Sequence, residues 1–197
     1  MKYLFLVAFS FLMTDLSAQQ ESSTLPYRTI PDAPEEYTNG AVIARLIDGL
    51  GYRFYWATEG LTDKDLDYKP SEDSRTTRET TDHIYGLSTA ILNAPQAKPN
   101  IRSTDNSGIT WFEKRNLILN NLYKASKMLR VSAGDDLKEY KVIFQRGDQK
   151  SEFPFWNLIN GQISDAIYHV GQIVAFRRAS GNPLHPGVSV FSGVTKE

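Results

Sequence analysis

The chain has 197 residues, with 22 Lys and Arg against 23 Asp and Glu, a formal net charge of −1 and no cysteine. The two charge signs are interspersed, with no basic block or Lys/Arg stripe between aromatics, so nucleic acid is not an expected partner. The lack of cysteine excludes a structural disulfide and a lipoprotein anchor, while the length and a hydrophobic content of 41% suit one domain with a sizeable core.

At the start, Lys2 precedes the largely apolar run Tyr3 to Met13, and Ala18 stands before Gln19-Gln20. One positive charge, an apolar run and a small residue before a polar stretch predict a bacterial-type secretory signal over residues 1–18, cleaved after Ala18. The run is shorter than the about 20 residues that cross a bilayer. The mature protein is therefore expected in the periplasm or outside the cell, with no stable membrane insertion. Residues 19–37 carry Pro26, Pro31 and Pro34 among mostly polar residues and read as a flexible tether, which leaves 38–197 as the folded domain with its tail.

Ala41, Val42, Leu46, Leu50 and Phe54 follow a helical period, which predicts an amphipathic helix from 39 to 58 with Gly60 at its C-terminal cap. A polar, acidic loop from Leu61 to Pro70 comes next. Thr76 and Glu79 have the spacing of a capping box, so a second helix opens there, runs to about Leu92 and stops at Pro95. Thr110 and Glu113 repeat the device; Ile118, Leu122, Ala125 and Leu129 give the third helix one apolar face, and Gly134 ends it. Between Tyr140 and Phe155, two short apolar stretches flank Arg146-Gly147-Asp148, and this segment reads as either a hairpin or an irregular connection. The Arg-Gly-Asp tripeptide is taken as a turn. Pro154 suits the first turn of the last helix, which continues to Arg178 and stops at Ser180-Gly181-Asn182-Pro183. The fold class expected from this pattern is all-α, a four-helix bundle.

The last helix carries two stripes. Ile159, Ile163, Ala166, Val170, Ile173 and Val174 form an apolar centre, with Leu158, Gln162, Asp165, His169, Gln172 and Phe176 beside it. The second stripe is apolar at its ends and polar in its middle, unlike the opposite side with Asn160, Ser164, Tyr168 and Arg178, which reads as the solvent face. Asp165 and His169 are four apart, so both can reach one ion from the same face. His83 lies at the edge of the second helix's apolar face, formed by Thr80, Ile84, Leu87 and Ile91, and points toward the bundle seam. His185, before Pro186-Gly187, reads as a loop residue. An Asp/His pair at this spacing is also a common surface ion pair, so spacing leaves both readings open.

The run Tyr168-His169-Val170-Gly171-Gln172-Ile173 followed by Arg177-Arg178 resembles the His-Arg-Gly-Gln-Ile segment near the end of DinB-family proteins. The loop Leu61-Thr62-Asp63-Lys64-Asp65-Leu66 with Pro70 is similar to that family's loop after its first helix, and Thr76, Glu79 and His83 resemble its capped second helix. The resemblance spans residues 40 to 182. It implies a DinB-like four-helix bundle with a triad of metal ligands, here His83, Asp165 and His169. The family commonly has three histidines, so Asp165 is a departure, as is Val170 where arginine is frequent. Thiol-dependent isomerases of this bundle class also place a carboxylate in the triad.

Two imidazoles and a carboxylate suit zinc, nickel, iron or manganese. Three protein ligands leave an open coordination position, the pattern of a catalytic site. Gln162 and Gln172 either orient ligands or serve as polar packing. The expected function is a divalent-metal-dependent enzyme, a thiol transferase or a hydrolase acting on a small molecule. The alternative is a non-catalytic metal-binding or interaction bundle of the bacterial envelope. The general base, the substrate and the oligomeric state, a homodimer included, are left open.

Overall fold

A computed structural model describes residues 25–101 and 108–196; the expected signal over residues 1–18 lies outside them. Four long helices dominate, and local sequence explains where each starts and stops. Helix α1 covers Asn39–Thr58, capped by the Thr38 hydroxyl, which accepts from the Ala41 amide at 3.1 Å. Gly60 follows with φ +69°, a left-handed conformation that a glycine adopts without a Cβ penalty. The short helix α2, Asp63–Leu66, interrupts the acidic loop. Helix α3, Thr77–Asn93, begins at the Thr76/Glu79 capping box and passes into a 3₁₀ turn, Ala94–Gln96, at Pro95. Helix α4, Trp111–Arg130, begins at the Thr110/Glu113 box and stops four residues before Gly134. In both boxes the hydroxyl and carboxylate satisfy amides that have no partner within the helix.

Another short helix, α5, Asp136–Glu139, leads to the hairpin. Strand β1, Pro99–Ile101, pairs in parallel with β2, Lys141–Arg146, which pairs antiparallel with β3, Gln149–Pro154. Gly147 takes φ +59° at the first central position of the two-residue turn, where a hairpin favours glycine. The fold is thus mostly helical and not all-α: a three-stranded sheet closes one end, and a second sheet joins β4, Val188–Ser189, to β5, Val194–Thr195. Pro154 is the last residue of β3 and not part of a helix. The last helix is composite: α6, Trp156–Leu158, then a π-helical turn, Ile159–Ile163, then α7, Ser164–Ala179.

In cross-section α1 packs against α4 and α7, and α3 also packs against α4 and α7, so α1 and α3 occupy a diagonal. Ile118, Leu122, Ala125 and Leu129 of α4 are fully buried, as are Ile163 and Ile173 from the last helix. Each such leucine or isoleucine contributes about 1.5–3 kcal/mol through removal from water. In α1 the expected face is only partly right. Leu50 and Phe54 are buried, but Val42 and Leu46 are 54% and 41% exposed, while Ala44, Ile47, Tyr52 and Tyr55 are fully buried. The helix has neighbours on most sides, including the chain before it, so its buried surface is not a single stripe.

Residues 25–32 correct the expectation of a flexible tether. Tyr27 is buried, and its hydroxyl donates to Asp48 Oδ1 at 3.0 Å. The other oxygen of that fully buried carboxylate accepts from Arg130 at 2.7 Å. Gly51 permits the contact, because a Cβ there would sit 2.4 Å from the Tyr27 ring. Burial first, and the negative charge of Asp48 second, push the Tyr27 phenol well above its ordinary pKa. Arg45 and Arg130 bind the carbonyls of Pro31 and Asp32, and the Ile30 amide binds the Gly193 carbonyl, tying this segment to the tail. Among the described residues no helix is long and apolar enough to cross a membrane.

Candidate metal centre

Helices α3 and α7 are neighbours, and the polar residues of their facing sides meet at one point. Asp165 lies in the first turn of α7, His169 one turn on, and His83 in the second turn of α3. Asp165 Oδ2 is 3.0 Å from His83 Nε2, and Asp165 Oδ1 is 3.3 Å from His169 Nε2. One ligand atom from each of the three residues lies within 4.8 Å of the others. The two imidazoles stand edge to face, with ring centroids 4.6 Å apart at 88°. Four ligands held tetrahedrally about 2.1 Å from an ion are separated by about 3.4 Å. The two carboxylate–imidazole spacings already approach that value, so this His/Asp/His group can hold a divalent ion.

Gln172 adds the feature that fixes one ring. Its Oε1 is 2.7 Å from His169 Nδ1, so it accepts the Nδ1 proton. In the neutral ring Nε2 then carries a lone pair and faces a carboxylate oxygen. Two acceptors so placed require a cation between them, either a proton or a metal ion. An outer hydrogen bond that sets the tautomer of a ligating histidine is the usual companion of such sites. Gln162 behaves differently. It belongs to the π turn, and its Oε1 is buried without a hydrogen-bond partner. Turns of this kind occur often at functional sites, and a buried acceptor with no donor is a cost that a bound group can remove.

The centre is not sealed. His169 is 8% exposed, whereas the side chains of His83 and Asp165 are 35% and 42% exposed. His83 and Gln162 line a cavity of about 500 Å³ together with Tyr85, Leu87 and Asp82 of α3. Its far wall comes from the sheet, through Asn100, Ile101 and Phe144. Asn100 is held by two amide bonds, donating to the Ile143 carbonyl and accepting from Asn93, each at 2.9 Å. Asp82 is paired with Lys114 at 2.8 Å. Sequence reasoning does not find Asn100, Ile101 or Phe144, because a three-residue strand in parallel register leaves no periodic signal. The size is within the range for small-molecule sites.

The other end of α7 has a structural role. Arg177 is buried and donates to the carbonyls of Trp56, Ala57 and Glu59, closing the C-terminus of α1. Arg115 donates to Thr58 Oγ1 and pairs with Glu59 at 2.5 Å. Asp65 accepts from Asn182, from the Ser180 hydroxyl, and from the amide and hydroxyl of Thr62. Burial alone would raise its pKa; the bonds from Asn182, Ser180 and Thr62 outweigh that and hold the carboxyl well below the usual range. His185 sits on the tail, its ring 6.0 Å from Trp56, and among the described residues it belongs to no cluster of metal-ligating groups.

No family model matches the chain, and no curated protein and no solved structure is significantly similar to it.

Proposed function

We propose that the protein is an exported, divalent-metal-dependent enzyme with a DinB-like bundle, in which His83, Asp165 and His169 are the metal ligands. The observation that carries this reading is the position of Asp165, with one oxygen facing the Nε2 atom of each histidine. Zinc, nickel, iron or manganese suits the donor set. The ion would act as a Lewis acid toward a substrate atom at its open position.

The remaining roles fall to the chain itself. Gln172 keeps the His169 proton on Nδ1 and leaves Nε2 available. Asp165 offsets one of the two positive charges, so an uncharged or weakly anionic group suits the open position. Leu87, Ile101 and Phe144 offer an apolar wall for the body of the substrate and displace water from it. The cavity's charged residues are Asp82 and, when protonated, His83, and the adjacent Lys114 is committed to Asp82. Among the described residues that line the cavity, no unpaired Lys or Arg is placed to meet an anionic low-molecular-weight thiol. Hydrolysis of an uncharged substrate therefore suits the lining better than thiol transfer.

Elemental analysis of protein purified without an affinity tag should give about one divalent ion per chain. A panel of neutral esters and amides should be hydrolysed by that form and not after chelation. Binding of none of the four metals at micromolar concentration would overturn the metal assignment. Metal binding without hydrolysis of any neutral substrate would leave a non-catalytic metal-holding bundle.

A further inference from the structure

A second cavity lies on the other flank of α7, between α7, α1 and the tail from Leu184 to Val190, and encloses about 360 Å³. It shares no lining residue with the cavity beside His83. We propose that it binds a small carboxylic acid with an apolar body.

Two features define the ligand. The first is charge: the cavity is lined by two arginines, Arg53 and Arg178, and by no acidic residue. Arg53 makes one hydrogen bond, to the Gly49 carbonyl of its own helix at 3.1 Å, and neither arginine is in an ion pair among the described residues. Arg178 is exposed, and its side chain makes no hydrogen bond to another described residue. A guanidinium presents a planar fork of donors that matches a carboxylate. The second feature is the apolar remainder of the lining, with Trp56 from α1, Ile167, Val170 and Val174 from α7, and Leu184 from the tail. A headgroup at the arginines and a chain against Trp56 and Val170 would satisfy both halves.

Gly171 gives the test a position at which the cavity can be filled. It stands in the middle of α7 and lines the cavity, and a Cβ added there would meet nothing within 4 Å. A mid-helix glycine costs about 1 kcal/mol relative to alanine. Backbone conformation does not require it here, since Gly171 is absent from the residues of positive φ. A large side chain at this position would extend into the open space of the cavity.

The test is isothermal titration of the purified protein with decanoate below its micelle concentration, alongside decanol and decyltrimethylammonium. Decanoate should bind one to one and at least tenfold tighter than either control. The double variant Arg53→Gln, Arg178→Gln should lose at least tenfold for decanoate and leave decanol unchanged. Gly171→Leu should abolish binding of both, with the circular dichroism spectrum and metal content unchanged. Should Gly171→Leu fail to fold, the arginine variant alone decides between headgroup recognition and general apolar binding. Equal affinity for decanoate and decanol would overturn the proposal. So would binding to phosphatidylglycerol vesicles without binding of monomeric decanoate, which would mark a membrane-facing surface. A dimer that Gly171→Leu disperses would also overturn it, by showing a second copy of the chain as the occupant. Metal content plays no part in the decanoate readout, so this proposal and the metal reading fail separately.

Discussion

Two carboxylates of this protein flank opposite ends of α7, Asp165 in its first turn and Asp65, from α2, against Ser180 and Asn182 just past its last, and they are treated in opposite ways. Asp65 is buried and receives donors from Thr62, Ser180 and Asn182, so its acceptor capacity is filled by groups of fixed polarity. Asp165 is half exposed and faces the Nε2 atoms of two imidazoles. A carboxylate surrounded by permanent donors holds the chain together. One that sets an oxygen against the Nε2 atom of each of two histidines, beside an open cavity, could hold a cation. The difference lies in the partners and not in the residue type.

The largest expected effect tests the second half of this contrast. Asp165→Leu should remove metal binding, as should His83→Ala or His169→Ala, because two ligands cannot supply the geometry of three. Asp165→His should retain binding by giving three imidazoles. Wild-type protein with the ion at 100 times its Kd should gain about 2.7 kcal/mol of stability, read as a higher Tm, and the Leu variant should not. Retention of metal by Asp165→Leu would place the ion elsewhere.

Asp65→Ala should do the reverse, destabilising the fold by about 1–3 kcal/mol in chemical denaturation while leaving metal affinity unchanged. The pH profile should carry the same signature. Because the folded pKa of Asp65 lies below its unfolded value of about 4, its contribution is present above that value. It is lost as pH falls through the folded pKa. Asp65→Asn should therefore flatten the acid limb of the stability curve below about pH 4. An unchanged limb would show that the network contributes nothing through its charge.

Smaller still is the effect at Gln172. Its replacement by Ala should weaken metal binding by about 10–100-fold without removing it, since the ring loses its orienting partner and keeps its nitrogen. His185→Ala is the control and should leave metal content unchanged, because that ring packs against Trp56 on the far flank. A fall in metal content there would mean that the tail contributes to the site.

The sequence by itself determined what depends on residues within a turn or two of each other. The Thr76/Glu79 and Thr110/Glu113 boxes place the starts of α3 and α4, since their bonds close within four residues. The period of Ile163, Ala166, Val170 and Ile173 shows the buried face of the last helix, and Asp165 and His169 share a face at i, i+4. The association of His83 with that pair rested on resemblance and on its helical face, because 82 residues separate it from Asp165.

Only the tertiary structure decided the rest. The anchoring of residues 25–32 through buried Tyr27 and Asp48, the exposure of Val42 and Leu46, and the wall of Asn100, Ile101 and Phe144 depend on which elements lie side by side. The parallel pairing of β1 with β2 joins residues more than forty apart along the chain, as Asn100 opposite Phe144 shows. The π turn before Asp165 likewise has no local signature in its Ile-Asn-Gly-Gln-Ile sequence. Caps and periods are set by bonds along one segment. The cavity beside His83 and the pairing of the sheet are set by which segments meet, and that is fixed when the whole core closes.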